Sequence, residues 1–211
     1  MSDQFKELIA KSLLQINAIQ LEPSNPFVWA SGLKSPIYCD NRKILSFPKV
    51  RKIVRDAFVQ KIKENYPDVD YIAGVATGAI AHGALVAEAL DLPFLYVRSS
   101  AKGHGLQNLI EGYAVPGKKV VVIEDLVSTG GSSVKAVEAL REYGLKVQGL
   151  IAIFTYGFEK AYKTFEDANC EWSVLTEYKT MIDIAIEEEL LDRSYMTDLE
   201  DWQADPENWS N

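Results

Sequence analysis

Residues 120–133, with the sequence VVVIEDLVSTGGSS, constrain the fold of this chain more than any other stretch. The first four of these residues are β-branched, which is typical of a strand buried on both faces in a parallel sheet. A loop of small residues follows, and apolar residues then recur at helical spacing at Val134, Val137 and Leu140. The pattern predicts a strand, a tight loop and a helix, which is the repeating unit of α/β proteins.

The loop after this strand predicts an anion site. A helix start offers free backbone N–H groups and the positive end of the helix dipole, and Ser128, Thr129 and Ser132 add hydroxyl donors. Two adjacent carboxylates, Glu124 and Asp125, precede the loop. Because they repel a phosphate, we expect them to face hydroxyl groups or cations. A ribose phosphate satisfies both halves, with its vicinal diol on the acids and its phosphate in the loop.

A hydrophobic strand before a glycine-rich turn also occurs in α/β proteins that bind no phosphate, but the paired acids favour a ligand. Neither a Walker A loop nor a GxGxxG turn after a strand is present. The stretch resembles the motif by which type I phosphoribosyltransferases bind PRPP, 5-phosphoribosyl 1-pyrophosphate. The resemblance implies that PRPP contacts the acids and the loop, namely Glu124, Asp125, Leu126, Val127, Ser128, Thr129, Gly130, Gly131 and Ser132.

A second segment, residues 98–112, is rich in glycine and carries the cations Arg98, Lys102 and His104. A solvated surface hairpin is one interpretation. The spacing Arg-x-x-x-Lys-x-His-Gly also resembles the catalytic loop of orotate phosphoribosyltransferases, which closes over the neighbouring subunit's site in a homodimer. The resemblance implies that the three cations bind PRPP and act in catalysis, with His104 a candidate proton donor. Ser99 stands where many members of that family have Lys.

A third segment contains the sequence SGLKSPIY at residues 31–38 and, taken alone, predicts only a hairpin. It resembles the segment that covers the base pocket in orotate phosphoribosyltransferases. The resemblance implies that Lys34 and Tyr38 bind orotate together with Ser128. Ala30 stands where many members have a Lys that contacts PRPP.

The segment at residues 74–81, GVATGAIA, is either a tight strand–helix turn or a pyrophosphate loop, because its side chains let oxygens approach the backbone. Gly78 stands where relatives often have Lys, and His82 beyond it is expected to be structural. Residues 154–159 lack the Arg that holds the orotate carboxylate in many members. Lys34, Arg42 or backbone amides remain the candidates for that role.

The periodicity of apolar residues, with Gly, Pro, Asp and Asn between the periodic segments, predicts alternating strands and helices. Helices are expected at residues 4–19, 47–65, 79–90 and 132–144, and strands at 71–75, 92–97, 118–123 and 147–156. This order predicts an α/β fold in which a mostly parallel twisted sheet is flanked by helices, the type I phosphoribosyltransferase fold, with a small N-terminal hood. We expect one domain over 1–211, with a helix and base-binding hood in about 1–45 and an acidic tail in about 190–211.

The chain has a net charge of −8, which disfavours nucleic-acid and acidic-membrane partners. Residues 183–211 hold ten acids and one base, so they are expected to form a solvated helix and tail. No run of about eighteen apolar residues predicts a membrane span, and the N-terminus does not resemble a signal peptide. Cys39 and Cys170 have no metal-ligand spacing, so reduced thiols in the cytoplasm are expected.

The resemblance implies an enzyme that transfers the phosphoribosyl group of PRPP to orotate in pyrimidine biosynthesis. Asp125, with Glu124, would hold the ribose diol and stabilise positive charge, and Mg²⁺ would be held mainly through PRPP rather than by protein ligands. Two alternatives remain open. One is a phosphoribosyltransferase for another base, and the other is a PRPP-sensing regulatory protein of the same fold.

Overall fold

The computed structural model describes residues 3–29, 31–99 and 109–209. The helices are α1 (Asp3–Gln15), α2 (Pro48–Asn65), α3 (Ile80–Leu90), α4 (Gly131–Glu142), α5 (Glu159–Asp167), α6 (Tyr178–Glu187) and α7 (Met196–Ala204). The strands are β1 (Ile19–Leu21), β2 (Phe27–Val28), β3 (Lys34–Ser35), β4 (Ile37–Cys39), β5 (Tyr71–Val75), β6 (Phe94–Val97), β7 (Ile110–Glu111), β8 (Lys119–Val127), β9 (Lys146–Thr155) and β10 (Trp172–Glu177). Short 3₁₀ helices cover Asn41–Ser46 and Arg193–Tyr195.

A six-stranded sheet in the order β10–β9–β8–β5–β6–β7 forms the centre of the molecule. Its neighbouring strands are parallel, except that β7 runs antiparallel to β6. The predicted fold class, a mostly parallel sheet flanked by helices, is confirmed. The chain leaves β5 towards one side of the sheet and leaves β8 towards the other, so the strand order reverses between them. In open α/β sheets, ligands bind outside the carboxyl ends of the strands at such a point.

Both faces of the sheet are covered, as the run of β-branched residues predicts. Val121 and Ile123 belong to a core shared with α1, α2, α3 and α6. Val120 and Val122 face the opposite core, which includes residues of α4 and α5. All four side chains are completely buried. The central strands are therefore enclosed, and only their ends are available to a ligand.

The elements predicted from the sequence are present with small shifts at their ends. Two differences are larger. The first helix ends at Gln15 instead of residue 19, where β1 begins, and strand β8 continues to Val127 instead of ending at Ile123. Its last residues pair with β9 alone, since the pairing with β5 ends at Gly74↔Ile123. Helices α5 and α6 and strand β10 were not indicated by the sequence patterns, whereas α7 lies in the segment that was expected to contain an acidic helix.

The hood comprises strands β1 to β4 and the 3₁₀ helix Asn41–Ser46. Two antiparallel pairs, β1 with β4 and β2 with β3, build it. Helix α7 packs against the hood, with Leu199 and Trp202 completely buried. These residues lie three positions apart on one helix face, whereas Glu200 and Asp201 are exposed. The expectation of a solvated acidic helix therefore fits Glu200 and Asp201 but not the apolar face of Leu199 and Trp202.

None of the helices within the described ranges has the length and hydropathy needed to cross a bilayer.

Candidate active site

The crevice is the gap between the ends of β5 and β8, formed by residues 74–79 and 123–133. At its centre, both backbone polar groups of Asp125 are bound by side chains. The Asp125 N–H donates to Glu124 Oε1 at 2.9 Å. The Asp125 carbonyl accepts from Asn41 Nδ2 at 2.6 Å. Because β5 has ended at this level, these side chains replace the hydrogen bonds that a neighbouring strand would make.

The two adjacent acids have different environments. Glu124 is 4% exposed, and its Oε2 accepts a hydrogen bond from Ser133 Oγ at 2.9 Å. Burial, and then the charge of Asp125, raises the pKa of Glu124 well above its usual range. Asp125 is only partly buried. Asp125 is therefore the acid of this pair that is available to a ligand, and Glu124 supports the backbone beneath it.

The carboxylate of Asp125 lies directly against Gly78, in the loop between β5 and α3. A Cβ atom built at Gly78 would overlap Oδ2, Cγ and Oδ1 of Asp125. The peptide bond between Ala76 and Thr77 in this loop is cis. The Asp125 carboxylate can thus lie in this place only because position 78 has no side chain. This contact joins the predicted pyrophosphate loop to the predicted PRPP motif.

The loop that opens α4 has the geometry of an anion site. Gly130 has φ +82°, a left-handed conformation that L side chains rarely adopt. The N–H of Val134 donates to the Gly130 carbonyl, so the amides before it have no partner within the helix. Thr129, Gly131 and Ser132 are exposed. These amides and hydroxyls are open to a phosphate, and phosphate binding here stays a prediction.

Three further residues of the predicted PRPP motif are buried to different degrees. The side chain of Val127 is completely buried in the core, so only its backbone can meet a ligand. Leu126 and Ser128 are partly buried. The Val127 carbonyl accepts a hydrogen bond from Thr155 Oγ1 at 2.9 Å, which attaches the motif to β9.

Arg98 follows β6 at the same edge of the sheet as the crevice. Its backbone N–H donates to the Leu109 carbonyl at 2.8 Å, and its Nη1 lies 3.5 Å from Glu111 Oε1. The predicted catalytic residues Lys102 and His104 lie outside the described residues, as does Ala30. The structure therefore places one of the three predicted loop cations.

Sequence and structure comparisons with known proteins agree with this geometry. A family model described as the phosphoribosyl transferase domain matches residues 40–193. The orotate phosphoribosyltransferase of Bacteroides fragilis is 53% identical over 204 residues, which are 97% of this chain and 96% of that relative. The chain belongs to the orotate phosphoribosyltransferase family.

Two solved structures share this fold with TM-scores of 0.75 or more. Orotate phosphoribosyltransferase from Aeropyrum pernix matches with a TM-score of 0.75 and 28% identity, over 87% of this chain and 99% of that chain. The UMP synthase of Leishmania donovani matches with a TM-score of 0.79 and 25% identity, over 94% of this chain. This chain spans 42% of the length of that synthase.

In this family member, the hood brings strand β4 next to the crevice. Cys39 lies close enough for the charge of Asp125 to act on it, and burial is the main reason that the pKa of its thiol is raised. Tyr38 is 38% exposed, with its ring 5.5 Å from that of Phe27. Lys34 is exposed, and its carbonyl accepts from Trp202 Nε1 at 3.4 Å. Tyr38 thus precedes Cys39 in the strand next to the crevice, whereas Lys34 lies on β3 against α7, and the contact of both with orotate stays a prediction.

Arg42, a candidate for the orotate carboxylate, is held by a neighbouring acid. Its Nε donates to Asp40 Oδ1 at 2.7 Å. This hydrogen bond keeps the pKa of the Asp40 carboxyl below its usual value. The Arg42 side chain remains 63% exposed. The bond to Asp40 uses only Nε, so the two terminal nitrogens of Arg42 can still donate to a carboxylate.

The sequence patterns did not indicate an aromatic cluster that lies behind the hood. Tyr156, after β9, lies 5.2 Å from the Trp29 ring and 5.7 Å from the Trp202 ring. Gln203 Nε2 donates to the Tyr156 carbonyl at 2.7 Å. These residues are distant in sequence, so no local pattern relates them. Apolar residues three apart at Leu199 and Trp202, within an acidic segment, were the one available signal.

The acid groups suit a magnesium ion that is held mostly by its substrate. Within the described residues, no group of three His, Cys, Asp or Glu side chains could enclose a metal. Mg²⁺ is commonly bound through one or two carboxylates together with substrate phosphates and water. Asp125, an accessible carboxylate in the crevice, fits that limited role.

Proposed function

We propose that this chain transfers the 5-phosphoribosyl group of PRPP to orotate, giving orotidine 5′-monophosphate and pyrophosphate in pyrimidine biosynthesis. One observation carries this proposal. The accessible carboxylate of Asp125 lies between the Gly78 turn and the open amides that begin α4. This arrangement suits a ligand that has an anion at one end and a ribose diol beside it. The names of the relatives support the choice of orotate.

In the proposed reaction, the bond from ribose C1 to a pyrophosphate oxygen breaks and pyrophosphate leaves with the bonding electrons. Positive charge develops on the ribose, and the orotate ring nitrogen bonds to C1 and gives up its proton, which passes to the departing pyrophosphate or to solvent. Asp125 holds the ribose hydroxyls and stabilises the positive charge, because a fixed carboxylate needs no reorganisation during the reaction. Glu124 fixes the Asp125 N–H from beneath.

The phosphates are proposed to be bound at two places. The 5′-phosphate takes the loop of Ser128, Thr129 and the residues that begin α4, where amides and hydroxyls are open. Pyrophosphate meets Arg98, Lys102 and His104, whose charges offset the charge of the leaving group. The assignments of Lys102 and His104 are supported by the sequence motif of residues 98–105.

We further propose that Mg²⁺ accompanies PRPP, with Asp125 as the protein carboxylate nearest to it. When bound, the ion supplies positive charge to the pyrophosphate oxygens. Orotate is proposed to lie between the hood and the crevice, in contact with Lys34, Tyr38 and Ser128. The free thiols of Cys39 and Cys170 favour the cytoplasm as the place of action.

The direct test is the loss of orotate absorbance when PRPP and Mg²⁺ are added to the purified protein. We expect orotidine 5′-monophosphate in equal amount to the orotate consumed. A panel of purine and pyrimidine bases tests the alternative substrate. Turnover of adenine or hypoxanthine without orotate would contradict the proposal, and PRPP binding without turnover of any base would favour a regulatory protein.

We propose that the enzyme is a homodimer whose loops carry Lys102 into the partner's site. In that arrangement, Lys102→Ala and Asp125→Asn are each nearly inactive but complement each other after subunit exchange. A mixed dimer has one doubly defective and one intact site, so activity should return to roughly a quarter of the wild-type value at equal mixing. If exchange is confirmed by mass spectrometry and no activity returns, Lys102 acts in its own subunit.

A further inference from the structure

Asn41 links the hood to the crevice. It begins the 3₁₀ helix that follows β4, and only 1% of its surface is exposed. Its Nδ2 donates to the Asp125 carbonyl at 2.6 Å, between segments far apart in the chain. This bond and the bond from the Asp125 N–H to Glu124 hold the backbone on both sides of the Asp125 side chain.

The hydrogen bond from Asn41 to the Asp125 carbonyl has a physical reason. Strand β8 loses its partner on one side when β5 ends, yet the Asp125 carbonyl remains inside the molecule. A buried carbonyl without a donor is costly, so a donor must come from outside the sheet. Asn41 supplies it, and the hood is thereby attached to the residue that is proposed to stabilise charge.

The groups around Asn41 are themselves buried and polar. The His82 ring from α3 lies near the Asn41 backbone, and burial lowers the pKa of His82. Asp40 and Cys39 precede Asn41 in the chain. Within the described residues, Asn41 Oδ1 and His82 Nε2 are buried without hydrogen-bond partners. Of the two polar atoms of the Asn41 amide, Nδ2 is therefore the one that forms a hydrogen bond, and its acceptor is the Asp125 carbonyl.

We propose that Asn41 is a positioning residue for Asp125. It sets the Asp125 carboxylate against Gly78, and so determines where charge is placed in the transition state. Asn41 itself need not contact PRPP or orotate. The proposal rests on the proposed function, because turnover is its main readout.

Two substitutions isolate the Nδ2 donor. Asn41→Ala removes the amide, and Asn41→Asp keeps its shape but replaces the donor with an acceptor that faces the Asp125 carbonyl. Small displacements of reacting groups are costly, so kcat should fall by about tenfold or more in both variants. KM for orotate should change by less than about twofold, since orotate is proposed to contact neither Asn41 nor Asp125.

Tyr143→Phe is the matched control. It removes one side chain–backbone hydrogen bond, from Tyr143 Oη to the Ala114 carbonyl at 3.2 Å, close to the amino end of β8. Its kcat should stay at the wild-type value while its melting temperature falls. If Tyr143→Phe and Asn41→Ala reduce kcat equally, the effect of Asn41 is one of general stability and the proposal is overturned.

A double substitution supplies the decisive comparison. If Asn41 acts through the carboxylate of Asp125, Asn41→Ala should cause little further loss of kcat in the Asp125→Asn background, because coupled residues are not additive. A full additional tenfold loss would show an independent role and overturn the proposal.

Wild-type activity is measured first, so that two failures can be told apart. No orotidine 5′-monophosphate from the wild type contradicts the proposed function. Wild-type product formation with unchanged kcat in both Asn41 variants contradicts only the positioning role.

Discussion

The crevice and the hood border the same site but are built in different ways. The crevice comes from two short stretches of chain, in which small residues and backbone groups set the geometry, as at Gly78 and Gly130. The hood consists of short strand pairs, and its stability depends on contacts with distant residues such as Tyr156 and Trp202. One region is fixed by the central sheet, and the other by side-chain packing between segments.

This difference predicts two kinds of variant. Changes in the crevice should alter turnover or PRPP binding while leaving the free energy of unfolding nearly unchanged, because the sheet holds the backbone. Changes behind the hood should alter stability and orotate binding together. A crevice variant that unfolds, or a variant of the aromatic residues behind the hood that lowers only kcat, would break the distinction. Asn41 lies in the hood but binds the Asp125 backbone, so its variants are expected to behave as crevice variants.

The largest effect on the reaction is expected for Asp125→Asn. The substitution keeps the side chain's size and removes its charge, so kcat should fall by about a hundredfold or more, as for other charge-stabilising groups. The melting temperature should stay close to that of the wild type. The exposed Asp167 in α5 provides the control, since Asp167→Asn makes the same charge change at a surface position outside the residues that form the crevice. Wild-type turnover in Asp125→Asn would remove that residue from the mechanism.

Gly78→Ala tests the contact that places the carboxylate. The added methyl group would overlap the Asp125 carboxylate, so that side chain must rotate away or the loop must shift. We expect kcat to fall by about tenfold, since a misplacement near 1 Å can cost more than that. A crystal structure of the variant should show Asp125 in another rotamer. Unchanged kcat with an unchanged rotamer would mean that the loop between β5 and α3 shifts instead, and that Gly78 does not place the carboxylate.

The same division explains what could be predicted from the sequence. The strand, the acids and the anion loop are contiguous, so periodicity and residue type indicated them, and β5 and β8 followed. The different burial of Glu124 and Asp125 could not be predicted, because it depends on Ser133 and on where β5 ends. Asn41 and Trp202 act across the fold, and no local pattern pairs them with Asp125 or Lys34.

Trp202→Ala tests the hood. The Trp202 ring is completely buried and lies 5.8 Å from Trp29 and 5.3 Å from Tyr178. Its loss should cost about 3–5 kcal/mol of unfolding free energy, the usual range for a large buried aromatic residue. KM for orotate should rise several-fold, because the Lys34 carbonyl loses its donor, while kcat changes little.

Phe58→Ala in α2 is the comparison for Trp202→Ala. Phe58 is also completely buried, but it lies in the core beneath the sheet. Denaturant unfolding should show a similar loss of stability, without the change in KM for orotate. If both variants raise KM equally, orotate binding follows global stability, and the hood has no separate role.

The smallest effects are expected from the dependence of folding stability on pH. A rise in pH should lower the contribution of the crevice to stability and raise the contribution of the hood. In the crevice, burial raises the pKa of Glu124 above its ordinary value of 4.5. The folded protein therefore holds this proton more tightly than the unfolded chain does. The stabilisation is fully present below pH 4.5 and is lost as pH rises through the folded-state pKa.

In the hood, the hydrogen bond from Arg42 lowers the pKa of Asp40 below its ordinary value of 3.8. Its stabilisation is therefore present above pH 3.8 and is lost as pH falls through the folded-state pKa. The two windows lie on either side of about pH 4, so melting curves can separate them.

Glu124→Gln and Asp40→Asn test these opposite signs. The glutamine side chain would keep an oxygen for the Asp125 N–H and offer its amide to Ser133 Oγ, so the fold should persist. Relative to the wild type, the melting temperature of Glu124→Gln should rise as pH increases above 4.5. The deficit of Asp40→Asn should instead shrink as pH falls below 3.8, where the wild type loses the charged partner of Arg42. Parallel melting curves for Glu124→Gln and the wild type at all pH values would show that the crevice carries no buried acid with a shifted pKa.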